Sequence, residues 1–374
     1  CFRTSGRAFA AAGPPSTARR YHVKHLFVIA SLVVMLAPLP PALADTGEDQ
    51  KAVLITGATT GIGRAAAERL AAAGVFVYAG ARKDADIEEL NRIENIKAVR
   101  LDVTKQDQVD AAVELIRQDG RELWGLVNNA GVNVVAPLVV ADEEDFRFLF
   151  DVNVFGVYRV TKAFAPLIIE SEGRIVNISS ISGVLSGGGY GMYAASKHAL
   201  EAMTDALSSE LGDLGVHVSA VNPGNFASEI GLTRCKRLLA DADAEDWGLF
   251  EERRQNMLKS CEERLEAGVE NEGTPPDAVA RTIEQALFEE NPRDRYLVVP
   301  EQVEAGWTIA QSVQELLAFN IGHEHSFTRD EIVEVIDAMW PYYSGERSWD
   351  DPEEQAAMMK FMDAWMNRQT TGSE

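Results

Sequence analysis

The stretch "AVLITGATTGIGR", residues 52 to 64, decides the fold. Its first four residues are apolar, as in a buried β-strand, and Gly57, Gly61 and Gly63 follow where such a strand would turn into a helix. Glycine lets the backbone turn tightly, and the first amides of a helix attract an anion such as pyrophosphate. A glycine-rich turn alone is weak evidence, because many turns need glycine for backbone reasons only.

Short apolar runs alternate with longer helical patterns from Lys51 onward. The runs are nearly continuous in apolar residues, which is typical of parallel strands covered on both faces. Repeated β-α units of this kind predict a doubly wound α/β fold, the Rossmann fold, with about seven parallel strands and helices on both faces. The predicted strands are residues 52–57, 75–80, 97–102, 123–131, 173–180, 216–224 and 295–300.

The alternation of strands and helices sets the predicted domain limits. Residues 51–300 form one predicted domain, and within it residues 229–290 interrupt the alternation with a charged, helical stretch. Residues 301–374 have a mostly helical pattern and are interpreted as a helical C-terminal extension.

Composition excludes several classes of protein. The formal net charge is −23 and the sequence pI is near 4.7, with no basic stripe that would neutralise a phosphate backbone, so no nucleic-acid partner is expected. The three cysteines, Cys1, Cys235 and Cys261, form no CxxC motif. This argues against a disulfide scaffold and a cysteine-rich metal site, and no metal is predicted.

Residues 1–50 form a signal-like or non-native N-terminal segment. Positive residues precede the apolar run "LFVIASLVVML", and "ALAD" follows, which is typical of a cleavable secretory signal. The run is shorter than the ~20 apolar residues of a bilayer span, although a retained membrane anchor stays an alternative. The first methionine is Met35, so we do not expect Cys1 to be the biological start. A periplasmic or secreted location is favoured, with membrane-anchored and cytoplasmic locations as alternatives.

Candidate ligand-binding residues end two further strands. Asp102 in "LDVT" is placed to accept a hydrogen bond from an adenine amino group, and the small residues of "NNAG", residues 128–131, allow close approach of a ribose. For each, the alternative is a turn residue that caps its own backbone.

Tyr193 and Lys197 are four residues apart in "YAASK", so on a helix they share one face. A free tyrosine has a pKa near 10 and is a poor acid or base at neutral pH, but a nearby ammonium lowers that pKa. Such a pair arises often by chance, so the surrounding motifs decide whether it is catalytic or structural. Ser180 ends the fifth predicted strand, Asn153 lies in a helical segment, and "NPG" follows the sixth strand.

Together these motifs resemble the short-chain dehydrogenase/reductase family. TGxxxGxG, NNAG, the helix Asn, Ser, YxxxK and PG occur in order over residues 51–300. The resemblance implies an NAD(P)-dependent oxidoreductase that interconverts an alcohol and a carbonyl compound. Tyr193 would exchange a proton with the substrate oxygen, Ser180 would hydrogen-bond that oxygen, Lys197 would lower the tyrosine pKa, and Asn153 would hold a water that relays protons. Spacing favours Ser180 over Ser179.

The resemblance also implies which residues contact the cofactor. NADP(H) is favoured and NAD(H) is possible, because Ala81 stands where NAD-selective members usually have Asp, and Arg82 and Lys83 follow. The expected contacts are Gly57, Thr59, Thr60, Gly61, Ile62, Gly63, Arg82, Asp102, Val103, Asn129, Ala130, Gly131, Tyr193, Lys197, Pro223 and Gly224.

Substrate and assembly are less well determined by the sequence. Residues 229–290 correspond to the substrate lid of the family, and the expected substrate is either a hydrophobic alcohol resembling retinol or a steroid, or a small hydroxy compound. A homo-oligomer, dimer or tetramer, is expected. The alternative function is a dinucleotide-binding sensor or scaffold without catalysis. Within the lid, Cys235 and Cys261 are either two isolated thiols or, in an oxidising compartment, a disulfide.

Overall fold

The computed structural model describes residues 50–240, 247–266, 273–322, 324–348 and 351–367. The N-terminal signal-like segment, apart from Gln50, therefore lies outside the described residues.

A single sheet of seven parallel strands has the order β3-β2-β1-β4-β5-β6-β7. This confirms the predicted Rossmann fold and its strand number. The strands are β1 Ala52–Ile55, β2 Phe76–Ala81, β3 Ile96–Arg100, β4 Leu123–Asn128, β5 Arg174–Ile178, β6 His217–Pro223 and β7 Arg295–Val298. The strand order reverses between β1 and β4, and in such sheets ligands bind at the carboxyl edge of this switch point.

Helices connect the strands and cover both faces of the sheet. Glu143 to Glu170 is a continuous helical stretch with a π-helical turn, Asp151–Gly156, between α4 and α5. The helices are α1 Gly61–Ala72, α2 Asp84–Leu90, α3 Gln106–Asp119, α4 Glu143–Phe150, α5 Val157–Glu170, α6 Gly191–Leu211, α7 Ile230–Ala240, α8 Glu251–Glu266, α9 Asp277–Phe288, α10 Gln302–Asn320, α11 Arg329–Tyr343 and α12 Pro352–Asn367.

Two hydrophobic clusters lie on opposite faces of the sheet. Because strand side chains alternate, Val53 and Ile55 of β1 enter the cluster that contains residues of α1 and α9. Leu54 enters the other cluster, where Val109 of α3 and Phe164 of α5 pack against it. Near-continuous apolar strands are thus explained by burial on both sides.

One helical stretch among the described residues, Glu143–Glu170, is long and apolar enough to cross a membrane by composition. Half of its apolar window is buried within the protein, and Val160 and Phe164 lie in the core. A core helix passes the same test, so this stretch is weak evidence for a membrane span.

The C-terminal extension is helical, as its sequence pattern predicts, and Glu304 of α10 attaches it to the turn after β6. The buried Glu304 carboxylate accepts hydrogen bonds from the Asn225 backbone amide at 2.9 Å and from Asn225 Nδ2 at 3.1 Å. A Cβ atom on Gly224 would lie 2.0 Å from Glu304 Oε2, which no side chain tolerates. A larger residue at position 224 would therefore displace this buried carboxylate.

Candidate active site

The glycine-rich turn after β1 has a backbone that only glycine satisfies at three positions. Gly57 and Gly61 have positive φ values of 63° and 56°. A Cβ atom on Gly63 would lie 2.4 Å from both the Gly57 carbonyl oxygen and Asn129 Nδ2. The glycines predicted from the sequence are thus needed for the shape of the turn itself.

Residues of "NNAG" brace this turn from β4. Asn129 Nδ2 donates to the carbonyl oxygens of Thr56 and Gly57, each at 2.9 Å, and the Ala130 amide donates to Thr56 Oγ1 at 3.0 Å. Gly57 also packs closely against Ala130, because a Cβ there would approach Ala130 Cα to 3.0 Å. Asn129 and Ala130 therefore position the glycine turn. From the sequence they were expected only to allow close approach of a ribose.

The start of α1 fits a pyrophosphate. Thr60 is its N-cap residue and makes no side-chain capping hydrogen bond, so its side chain leaves the first helical amides available. Thr59 is half-buried and Thr60 is exposed beside these amides, while Ile62 packs against the core. Unpaired amides at a helix N-terminus, reached over glycines, favour a bound anion.

The ends of β2 and β3 lie where residues would contact the adenosine ribose of the cofactor. Ala81 is buried, whereas Arg82 and Lys83 are exposed and make no ion pair within the described part of the chain. Arg100 Nη1 donates to the Arg82 carbonyl oxygen at 2.6 Å and its guanidinium also pairs with Asp84. Two cationic side chains are thus free to face a phosphate at this corner.

Asp102 and Val103 lie at the loop after β3. Asp102 Oδ1 accepts hydrogen bonds from the Thr104 amide at 3.0 Å and from Thr104 Oγ1 at 2.7 Å. Asp102 therefore caps its own turn, which the sequence analysis gave as the alternative to adenine binding. Val103 is buried and packs close to Gly156. Asp102 retains a second carboxylate oxygen, so capping and adenine binding are compatible.

Lys197 and Tyr193 lie one turn apart on α6, as their spacing predicts, with Lys197 Nζ 5.7 Å from the centre of the Tyr193 ring. Lys197 is only 5 % exposed, and its Nζ donates to the carbonyl oxygen of Ile178, the last residue of β5, at 2.8 Å. Burial lowers the pKa of Lys197 to about 8, while the charge of Glu201 acts in the opposite direction.

Ser180 follows β5 and contacts Tyr193. Burial raises the pKa of Tyr193 to about 12, and a hydrogen bond with Ser180 opposes that rise. Ser180 Oγ also accepts from the Ser182 amide at 3.0 Å. The neighbouring Ser179 hydroxyl is buried without a hydrogen-bond partner. Near neutral pH Tyr193 therefore holds its proton and is available as a donor.

Asn153 lies in the π-helical turn between α4 and α5, a distortion frequent at functional sites. Its Oδ1 accepts from the Val132 amide at 2.8 Å, and its Nδ2 donates to the Val132 carbonyl oxygen at 2.9 Å and to Ser196 Oγ at 3.1 Å. Gly131 lies between Asn153 and Lys197, since a Cβ there would be 3.4 Å from Asn153 Oδ1 and 3.9 Å from Lys197 Nζ. Asn153 thus ties the "NNAG" loop to α6.

Pro223 and Gly224 end β6 at the same edge of the sheet. Pro223 is buried in the pairing with β7, and the Gly224 amide donates to the Val298 carbonyl oxygen at 2.8 Å. Of the sixteen predicted cofactor positions, Pro223 is the last residue of β6, and the others lie on the loops and helix starts that follow the strands or on α6.

Sequence reasoning missed a buried polar group beneath the site. Glu201 lies one turn after Lys197 on α6, and it contacts Asn222 of β6 and Arg295 of β7. Its spacing from Lys197 was a visible signal, because residues four apart share a helix face. Asn222 and Arg295 come from distant strands and had no such signal.

Helices α7 and α8, in the segment expected to form the lid, contact the loop that precedes α6. Arg253 of α8 contacts the Gly188 carbonyl oxygen, and Arg234 of α7 donates to the Tyr190 hydroxyl at 3.0 Å. A disulfide joins Cys235 of α7 to Cys261 of α8, with the Cα atoms 5.1 Å apart. Of the two alternatives for these cysteines, the structure has the bonded one, and the two lid helices are covalently tied.

A cavity of about 280 Å³ lies between the lid and the loop after β4. Its apolar lining includes Val134, Ala136 and Trp247, which belong to the hydrophobic cluster against which Tyr193 packs. Its polar lining includes Arg234 and Asn133, whose Oδ1 is buried without a hydrogen-bond partner. The cavity thus shares its apolar wall with the cluster that packs against Tyr193, and it offers both donors and an acceptor.

Fold and site together define a dinucleotide-binding α/β enzyme with a tyrosine and lysine pair at the carboxyl edge of its sheet. The chain belongs to the short chain dehydrogenase family, whose model matches residues 51–236, and it is an oxidoreductase of that family.

Two curated relatives act on alcohols according to their names. D-beta-hydroxybutyrate dehydrogenase, mitochondrial, of Bos taurus is 35% identical over 287 residues, which cover 71% of this chain and 83% of the relative. Retinol dehydrogenase 7 of Mus musculus is 33% identical over 267 residues, which cover 69% of this chain and 81% of the relative.

Solved structures of similar proteins contain either nicotinamide cofactor. A short chain dehydrogenase/reductase from Burkholderia phymatum in complex with NAD superimposes with a TM-score of 0.61 at 25% identity, over 75% of this chain and 99% of the other. ElxO with NADP bound has a TM-score of 0.54 at 26% identity, over 69% and 99% of the two chains.

Proposed function

We propose that the protein interconverts an alcohol and its carbonyl compound with NAD(P), using Ser180, Tyr193 and Lys197 at the reacting atoms and Asn153 beside them. The observation that carries this proposal is the convergence of Tyr193, Ser180 and the buried Lys197 ammonium next to the glycine turn. The nicotinamide cofactor, when bound, would supply or accept the hydride.

The protein's own groups move the proton. In carbonyl reduction, Tyr193 would donate its phenolic proton to the substrate oxygen while the carbonyl carbon accepts a hydride, which gives the alcohol. Ser180 would hydrogen-bond the same oxygen as negative charge develops on it. The Lys197 ammonium would stabilise the resulting phenolate, and oxidation would reverse these steps. The proton relay through Asn153 and a water stays a prediction.

Replacing Tyr193 by Phe tests the proton donor. We expect turnover of NAD(P)H with a carbonyl substrate to fall about 100-fold to 10,000-fold, because one acid-base group is lost while the ring and the cofactor turn remain. Steady-state kinetics together with nicotinamide fluorescence would separate loss of chemistry from loss of binding. Tyr343→Phe, at a tyrosine of α11 that is 71% exposed, is the matched control. Unchanged turnover in Tyr193→Phe, or absence of turnover in the parent protein despite cofactor binding, would favour the sensor or scaffold alternative.

We propose NADP(H) as the preferred cofactor. Ala81 places no carboxylate at the end of β2, where it would accept from a ribose 2′-hydroxyl and repel a 2′-phosphate. Arg82 and Lys83 follow, and their lack of ion pairs among the described residues leaves them available to pair with that phosphate.

Replacing Ala81 by Asp tests this preference. We expect NADPH affinity to fall about tenfold or more through repulsion between the carboxylate and the phosphate, while NADH affinity rises. Dissociation constants from nicotinamide fluorescence, measured for both cofactors, give the result. A parent protein that already binds NADH more tightly than NADPH would contradict the assignment of Arg82.

For the substrate, we propose a small hydroxy or oxo acid over a long apolar alcohol. The cavity whose apolar wall packs in the same cluster as Tyr193 is also lined by Arg234, Arg237 and Arg254. Arg237 pairs with Asp145, and Arg254 with Glu251. Arg234 pairs with no carboxylate in the described ranges and is held by the Tyr190 hydroxyl. A substrate carboxylate would supply the missing partner, and an apolar chain would leave this guanidinium unpaired.

Arg234→Gln should raise KM for acetoacetate about 10-fold to 100-fold, because a hydrogen-bonded charge pair is lost. KM for a neutral ketone such as acetone should change little. Arg237→Gln is the matched control, since Asp145 already neutralises that side chain. If the parent protein instead reduces retinal and leaves acetoacetate unreacted, the apolar substrate class is correct.

We also propose that the protein is a homo-oligomer through the surface of α4 and α5. Phe155 and Tyr158 are 53% and 50% exposed there, next to the partly exposed Phe146 and Phe148. An apolar surface of this kind is costly in water, and a second copy of the same surface would cover it.

Sedimentation equilibrium tests this interface. We expect Phe155→Asp to shift the protein toward monomer, because the new charge would be buried between copies. Phe319→Asp, on the exposed apolar face of α10, is the comparison. Dissociation by Phe319→Asp alone would move the interface to α10.

A further inference from the structure

Glu201 is a carboxylate buried beneath the site that the proposed chemistry does not use. It lies on α6 one turn after Lys197 and is 9 % exposed. A Cβ atom on Gly183 would lie 2.7 Å from Glu201 Oε1, so the turn after Ser180 packs directly on this carboxylate. A buried charge is costly unless it is paired, and its partners therefore indicate what it does.

Two hydrogen bonds hold the Glu201 carboxylate in place, and a third ties one of its partners to the serine loop. Oε1 accepts from Asn222 Nδ2 at 2.6 Å, and Oε2 accepts from Arg295 Nε at 3.0 Å. Asn222 Nδ2 also donates to the Ser180 carbonyl oxygen at 3.2 Å. The carboxylate is thus fixed between β6, β7 and the serine loop, one helical turn from Lys197.

The electrostatic effect of Glu201 falls on Lys197. Burial alone disfavours the Lys197 ammonium, and the negative charge of Glu201 raises the lysine pKa against that effect. The Lys197 ammonium has a neutral hydrogen-bond partner, the Ile178 carbonyl oxygen. Glu201 is therefore the charge that opposes, in part, the effect of burial on this cation.

Other charged groups around α6 are paired elsewhere. The π-helical turn contributes Asp151, which pairs with Arg159, and α4 contributes Asp145, which pairs with Arg237. Strand β6 places the uncharged Asn222 near α6. Strand β7 places Arg295 there, and its Nη2 lies 2.6 Å from Asp205 Oδ1. On α6 itself, Tyr193 is neutral near pH 7, because its pKa is raised to about 12.

We propose that Glu201 is a positioning residue that keeps Lys197 in its ammonium form, held at the correct place by Asn222 and Arg295. The proposal rests on the proposed function for the role of Lys197 in the reaction. The protonation state of Lys197, which the proposal concerns, can be measured without any turnover.

The test is an NMR titration of the free protein labelled with ¹³C at lysine Cε. The Lys197 resonance is the one absent from a Lys197→Met variant, and its chemical shift against pH gives the Lys197 pKa. We expect Glu201→Gln, which keeps the shape and an oxygen acceptor, to lower the Lys197 pKa by about one unit. The reason is that an opposite charge one helical turn away is removed. Glu201→Asp, which keeps the charge, should restore most of the difference.

Asp205→Asn is the matched control, because Asp205 is the other carboxylate partner of Arg295 and is much more exposed. We expect it to change the Lys197 pKa by less than half as much as Glu201→Gln. An equal change in both variants, or no change in Glu201→Gln, would overturn the proposal.

Arg295→Gln keeps the proposal testable if Glu201→Gln does not fold. Removing this guanidinium leaves the Glu201 charge unneutralised, so the Lys197 pKa should rise, opposite in sign to the effect of Glu201→Gln. A fall or no change would contradict the proposal. Loss of turnover by Tyr193→Phe is a separate measurement, so failure of the proposed function and failure of this inference are distinguishable.

Discussion

The burial of the Lys197 ammonium is the constraint on which the site depends. A cation that is 5 % exposed must be compensated, and the surrounding elements meet that need from several directions. The end of β5 supplies the Ile178 carbonyl oxygen, and the next turn of α6 supplies the charge of Glu201. Holding the lysine in this way also fixes Tyr193, because both side chains leave the same helix face.

The glycine turn after β1 depends on its neighbour in the sheet. Asn129 and Ala130, at the end of β4, donate to Thr56 and Gly57, so the turn is built jointly by two strands. Strand order reverses between β1 and β4, and the gap between the loops that diverge there is where ligands bind in such sheets. The same polar residues thus brace the fold and border the cofactor site.

Much of the fold was predictable because burial leaves a local pattern. Seven apolar runs predicted seven strands, and each observed strand overlaps its predicted run. Tyr193 and Lys197 were predicted to share a helix face from spacing alone. Partners of Glu201 were not, because Asn222 and Arg295 are separated from it by 21 and 94 residues. The disulfide between Cys235 and Cys261 was likewise undecidable from sequence. It requires the Cα atoms of two cysteines on different helices to lie within about 6 Å of each other.

The sequence by itself determined the Rossmann fold and the glycine turn, since hydrophobic periodicity along one element is a local property, and its resemblance to a known family singled out Ser180, Tyr193 and Lys197 as the expected catalytic residues. Only the tertiary structure decided that Glu304 packs against Gly224, that Asn129 braces the glycine turn and that the charge of Glu201 acts on the buried lysine. Each of these contacts joins side chains from distant elements. Their distances follow from how strands and helices pack, which no spacing along the chain specifies.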